Sequence, residues 1–124
     1  MKCLIVEDEV LIRMELVLSL QDLGHSCLEA DSVADASYLM KTHDFDVILL
    51  DLHVKDGQTL PLVDYLAVMG TKAIVVLITG SGAFPNGESV TLSPRIDFVL
   101  RKPVNLPDLV ALLEYSVTCE KVNT

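Results

Sequence analysis

Val47-Ile48-Leu49-Leu50-Asp51 is a run of four branched apolar residues leading without alternation into one carboxylate. An apolar run of this length predicts a strand buried on both faces, as in a parallel sheet covered by helices. Asp51 then stands where the strand leaves the core, at the carboxyl edge where open α/β sheets bind ligands. Three more stretches have this character. Cys3-Leu4-Ile5-Val6 runs into Glu7-Asp8, Ala73-Ile74-Val75-Val76-Leu77-Ile78 into Thr79, and Asp97-Phe98-Val99-Leu100 into Arg101-Lys102-Pro103. A weaker strand, His25-Ser26-Cys27-Leu28-Glu29-Ala30, carries polar alternation and reads as a sheet edge.

Helical patterns fill the gaps. Ile12, Leu16, Leu20 and Leu23 form one apolar stripe, with Asp8 placed to cap that helix and Gly24 to end it. Asp31-Ser32 caps a second helix, with Val33, Ala36, Leu39 and Met40 inward. Asp56-Gly57 marks a turn. Thr59 is placed to cap a third helix, with Pro61 in its first turn, Leu62, Leu66 and Met69 on one face, and Gly70 closing it. Leu106, Leu109, Val110, Leu113 and Val117 stripe the last helix. Residues 80–96 differ: Gly80, Gly82, Pro85, Gly87 and Pro94 punctuate them, so the fourth helix of the pattern is predicted short or disordered. Strand and helix alternate five times. This predicts a doubly wound α/β domain over residues 1–124, with a five-stranded parallel sheet ordered 2-1-3-4-5 and right-handed crossovers.

Composition narrows the function classes. At 124 residues with 51% hydrophobic content, the chain suits one domain with a real core and is not disordered. No apolar run approaches a membrane span, and two acids follow the short apolar N-terminal stretch, so neither an anchor nor a signal peptide is expected. A net charge of −9 repels nucleic acid from most of the surface. Cys3, Cys27 and Cys119 are widely spaced and odd in number, which fits reduced cytoplasmic thiols, with Cys3 and Cys27 acting as packing residues.

The strand ends carry the chemistry. In the order 2-1-3-4-5 the chain reverses between the first and third strands, so Glu7, Asp8 and Asp51 converge there, with Thr79 and Lys102 nearby. Three carboxylates held together need a cation or protons. A hard divalent ion, Mg²⁺, takes oxygen ligands and commonly combines one or two carboxylates with a phosphate. Lys102 can pair with Asp51 or with a phosphate oxygen, and Thr79 can donate to the same group. With Asp51 as an in-line nucleophile, the set suits phosphoryl transfer onto a carboxylate to give an aspartyl phosphate.

These motifs together resemble the receiver domain of two-component response regulators over essentially the whole chain. Val6-Glu7-Asp8-Glu9 resembles the family's acidic pair, Leu50-Asp51-Leu52-His53 with Asp56-Gly57 its phospho-acceptor loop, and Thr79-Gly80 and Lys102-Pro103 its switch threonine and its lysine with a cis-proline bond. The resemblance implies a flavodoxin-like fold and a signalling switch rather than an enzyme with an external substrate. It implies that Asp51 accepts a phosphoryl group from a histidine kinase or phosphotransfer protein. By the same resemblance, Asp8, Asp51 and the His53 backbone carbonyl hold Mg²⁺, Glu7 helps through water, and Thr79 and Lys102 bind the phosphoryl oxygens.

Three departures stand out. Lys55 replaces a frequent proline, the fourth helix lacks a convincing pattern, and Val99 occupies the place of the switch aromatic, three residues before the lysine. Either Val99 serves there directly or a one-residue bulge brings Phe98 into its place. Leu77-Ile78-Thr79-Gly80-Ser81-Gly82 and Thr59-Leu60-Pro61-Leu62-Val63-Asp64 resemble an atypical receiver subgroup with a Phe-Ala-Thr-Gly signature, linked with HWE-type kinases. His53 either tunes loss of the phosphoryl group or faces solvent, and Ser81 stands near enough to affect water access. The resemblance puts kinase docking on the first helix, with Leu11, Met14 and Leu18 as contacts, and on the loop before the last helix. The chain reads as a stand-alone receiver that acts through a protein contact, or alternatively as a phosphate sink or shuttle. A flavodoxin-like cofactor carrier lacks its phosphate loop here, and a phosphohydrolase lacks a second acid two residues after Asp51.

Overall fold

The continuous apolar runs pair in parallel, as their lack of alternation requires. The computed structural model describes residues 1–80 and 94–123, with side chains as far as Tyr115. In chain order the elements are β1 (Lys2–Val6), α1 (Val10–Asp22), β2 (Ser26–Ala30), α2 (Val33–Thr42), β3 (Val47–Asp51), β4 (His53–Val54), β5 (Gly57–Gln58), α3 (Leu60–Met69), β6 (Ile74–Thr79), β7 (Phe98–Arg101) and α4 (Leu106–Asn123). The main sheet runs β2-β1-β3-β6-β7, all parallel. With the small β4–β5 hairpin set aside, this is the predicted order 2-1-3-4-5, and β2 is the expected edge. The predicted short or disordered fourth helix falls on residues 81–93, which lie outside the described residues.

Strand alternation divides the core in two. Leu4, Val6, Ile48, Leu50, Val75 and Leu77 face Ala36 of α2 and Leu62, Val63 and Leu66 of α3. Cys3, Ile5, Val47, Leu49, Val76 and Ile78 face Leu16, Val17 and Leu20 of α1 and Leu109 and Leu113 of α4. Each fully buried aliphatic side chain contributes about 1.5–3 kcal/mol. Burying β3 and β6 on both faces is therefore the largest commitment of the chain to this sheet.

The helix faces differ from the predicted stripes at two ends. Leu23 caps α1 and Met69 ends α3, and both point outward, while Val17 and Val63 take the inward places. Helix ends fray, so a stripe read to its last member overshoots. The capping assignments also shift. Ser32 caps α2 as expected, accepting from Asp35 N–H at 3.1 Å. Asp8 does not cap α1: Glu9 holds that place and gives no side-chain cap. Thr59 precedes α3, yet its side chain does not cap the helix either. Gly70, at φ +68°, ends α3 in the left-handed conformation that glycine adopts freely. Among the described residues, no helix is long and apolar enough to cross a membrane.

Candidate functional site

Register places the strand ends side by side. Val6 pairs with Leu50, Asp51 with Ile78, and Thr79 with Arg101. The residues that leave these strands therefore meet at one edge. Glu7 continues off β1, with its N–H donating to the Ala30 carbonyl at 3.0 Å. Arg13 Nη1 donates to the Glu7 carbonyl at 2.9 Å, and Glu9 N–H donates to Glu7 Oε1 at 3.1 Å. These bonds turn the Glu7 side chain inward, where it is 1% exposed.

Lys102 reaches this edge from the end of β7. Its backbone N–H donates to the Thr79 carbonyl at 2.8 Å, which fixes the lysine at its root. Its ammonium lies 2.9 Å from Asp51 Oδ2, 3.2 Å from Glu7 Oε1 and 3.8 Å from Glu9 Oε1. Glu7 Oε2 is also 3.2 Å away as an ion pair, but it is buried and accepts no hydrogen bond among the described residues. Glu7, Asp8 and Asp51 each offer a carboxylate oxygen within 4.8 Å of the others. Burial first, and then the hydrogen-bonding and charge of Asp51, push the Glu7 carboxyl up to about 7. Burial alone would lower Lys102, but its hydrogen bond and charge pairing with Asp51, then with Glu7, hold it above the ordinary lysine value.

The loop after Asp51 is a small hairpin. Thr59 N–H donates to the Leu52 carbonyl at 3.0 Å, and His53 pairs with Gln58. Bonded and non-bonded pairs alternate in an antiparallel ladder, so the backbone groups of His53 turn away from its partner strand. The His53 N–H accordingly donates to Asp51 Oδ1 at 3.4 Å. Both carboxylate oxygens of Asp51 thus have a fixed donor.

The sequence comparison decides the family. The response regulator receiver domain matches residues 3–114. The chain belongs to this family. Its curated relatives include the transcriptional regulatory protein PhoP of Escherichia coli K12, which is 26% identical over 92% of this chain and 51% of its own length. The receiver domain described here therefore spans about half the length of the curated relatives it matches. A CheY-like receiver domain from Methylobacillus flagellatus is 28% identical, with TM-score 0.77 over 92% of this chain and 96% of that one. A receiver domain from Methanospirillum hungatei superposes with TM-score 0.86 at 19% identity, over 99% of this chain and 98% of that one, which speaks for the fold alone.

The other residues singled out from the sequence of this receiver fall as follows. Thr79 is buried at the end of β6 and Gly80 is exposed beside it, while Ser81 lies outside the described residues. The Lys102–Pro103 peptide is cis. The pairing of β7 runs residue for residue from Phe98 to Arg101, with no bulge. Phe98 therefore packs into the α1/α4 core, and Val99, 38% exposed, faces the opposite side of the sheet. The His53 side chain is exposed. Leu11, Met14 and Leu18 are exposed on α1 at 81%, 48% and 55%, with Val10 beside them.

Three roles escaped sequence reading. Arg13 braces the Glu7 backbone and pairs with Glu29 at 3.0 Å. Asp56 reaches the start of α2 and accepts from Val33 N–H at 2.7 Å and Ala34 N–H at 3.1 Å, which lowers its carboxyl from the ordinary range. Thr59 Oγ1 donates to the Asp51 carbonyl at 2.8 Å. Asp56, in its Asp-Gly turn, and Thr59, as a cap-type residue before a helix, left local signals, but these pointed to the turn and to α3 rather than to α2 and Asp51.

Proposed function

We propose that this receiver accepts a phosphoryl group on Asp51 from a histidine kinase or phosphotransfer protein and changes its protein contacts as a result. The observation that carries this reading is the Lys102 ammonium held between Asp51 and Glu7 at 2.9 and 3.2 Å, at the rim of a three-carboxylate cluster. A cation already paired to the attacking carboxylate is placed to follow charge onto a phosphoryl oxygen. Thr79, rooted to the Lys102 backbone, takes a second phosphoryl oxygen.

The residues present fit Mg²⁺. The donors are all oxygens, Glu7 Oε2 is buried without a hydrogen bond among the described residues, and the negative charge exceeds what one lysine offsets. Asp8, Asp51 and the His53 carbonyl would hold the ion, with Glu7 acting through water. When bound, the ion neutralises the cluster and the incoming phosphoryl oxygens. In the transfer itself, an Asp51 carboxylate oxygen forms a bond to phosphorus as the bond from phosphorus to the donor's nitrogen or oxygen breaks. The donor leaves with that electron pair. The chain's own chemistry is confined to this phosphorylation and the hydrolysis of the resulting aspartyl phosphate.

The exposed apolar face of α1, Leu11, Met14 and Leu18, is the kinase-docking surface in this reading, and an HWE-type kinase is the partner suggested by the Thr79-Gly80 and Thr59-Leu60-Pro61 stretches. The output is a protein contact, because a net charge of −9 repels nucleic acid from this unit. The test is labelling of the intact chain by acetyl phosphate with Mg²⁺, followed by mass spectrometry. The wild-type chain is expected to gain one phosphoryl group at Asp51, and D51N and the chelated wild type none. Equal labelling of D51N would overturn the assignment.

A further inference from the structure

We propose that Thr59 is a positioning residue for Asp51, an inference that rests on the phospho-acceptor reading above. A threonine just before a helix normally turns its hydroxyl to the helix, accepting an N–H of the first turn. Thr59 does not. Its Oγ1 donates to the Asp51 carbonyl at 2.8 Å, with the Leu52 carbonyl farther away at 3.5 Å. The α3 amides of Leu62 and Val63 instead reach the Thr59 backbone carbonyl, at 2.9 and 3.4 Å. Thr59 is fully buried, at 0% exposure, so this hydroxyl has no water to turn to.

The destination of that hydrogen bond matters. The Asp51 carbonyl and the Leu52 N–H belong to one peptide unit. The Leu52 N–H donates to the Ile78 carbonyl of β6 at 2.8 Å. One end of the unit is therefore held by the sheet and the other by Thr59. With the unit pinned at both ends, the main chain at Asp51 has little freedom to rotate. The carboxylate direction is left to two side-chain torsions, and these are held by Lys102 at Oδ2 and by His53 N–H at Oδ1, at 2.9 and 3.4 Å. Without the Thr59 hydroxyl, the unit is anchored on one side only, and the attacking oxygen samples orientations off the line to phosphorus. Misplacement of a reacting group by about 1 Å costs up to about a hundredfold in rate.

Thr59→Val keeps the shape and removes the donor; Thr59→Ser keeps the donor and removes a methyl group. The measurement is the rate of Asp51 phosphorylation by acetyl phosphate with Mg²⁺ in the full chain, across donor concentrations, beside a thermal melt. T59V is expected to lose about ten- to hundredfold in the rate at saturating donor with the half-saturating donor concentration unchanged, while T59S stays within about threefold of wild type. A folded T59V at wild-type rate, a T59V that is unfolded at the assay temperature, or a T59S as slow as T59V would each overturn the proposal. In the last two cases Thr59 serves packing or the fold rather than the acceptor. A wild-type chain that takes no phosphoryl group on Asp51 would instead break the functional reading itself, before Thr59 is in question.

Discussion

The two edges of one sheet are built to opposite rules. At the amino edge, charged groups are matched to partners. Lys2 N–H donates to Asp46 Oδ2 at 2.8 Å, the Lys2 ammonium meets His43 at 3.0 Å, and Asp97 accepts from Val75 N–H and Arg95 at 2.8 and 3.1 Å. Arg95 also donates to the Thr71 carbonyl at 2.8 Å and to that of Ala73. At the carboxyl edge, Glu7, Asp8 and Asp51 crowd together, one ammonium pairs with Glu7 and Asp51, and a buried Glu7 oxygen accepts no hydrogen bond among the described residues. The first edge is satisfied and stitches loops together. The second is left in deficit of positive charge. Local satisfaction that fails at one confined place is the mark of a site kept for chemistry.

The contrast breaks most easily at Lys102. Lys102→Met keeps the stem and removes the only ammonium paired to Asp51 and Glu7 among the described residues. In chelator at pH 8 this is expected to cost about 3–5 kcal/mol in denaturant melts, since it leaves buried carboxylates uncompensated. The cost is expected to shrink at pH 5, where Glu7 takes up a proton. An equal loss at both pH values would mean that Lys102 acts by packing.

The next effect comes from Glu7 alone. Its carboxyl keeps its proton to about 7 in the folded chain against an ordinary value of 4.5, so the folded state is the stronger proton binder between those values. Metal-free stability is therefore expected to fall as pH rises from 4.5 to 7, by about 3 kcal/mol in total, and to level off above. Saturating Mg²⁺ favours the ionised form and is expected to flatten or reverse that slope. A chelated chain that gains stability over this range would show that the deficit of positive charge is not real.

The smallest effect sharpens the other side of the comparison. Arg95→Ala is expected to cost about 2 kcal/mol through the carbonyls and the carboxylate it leaves behind. It should leave Mg²⁺ affinity, read by calorimetry, unchanged. A shift in that affinity beyond about threefold would show that the two edges are energetically one unit.

Much of this was legible in the residues because it is local. Four unbroken apolar runs are parallel strands, and the polar residues that end them become neighbours once the strand order is known. The rest depends on tertiary partners. Asp8 and Thr59 have the residue types of helix caps, yet Glu7 Oε1 takes the Glu9 N–H and Thr59 turns to Asp51, because a buried carbonyl at the end of β3 needs a donor more than a solvated helix start does. Asp56 caps a helix that begins 23 residues before it, a pairing no window of sequence contains. Leu23 and Met69 continue their stripes in sequence, but at the ends of their helices both are exposed.

The unbulged register of β7 also determines how this molecule can be watched. With Val99 on the face opposite Phe98, and with no tryptophan in the chain, β7 itself carries no aromatic side chain on the Val99 face. The natural probe is the pair of methyl groups of Val99, whose carbon and proton shifts change with small displacements of the strand beneath them.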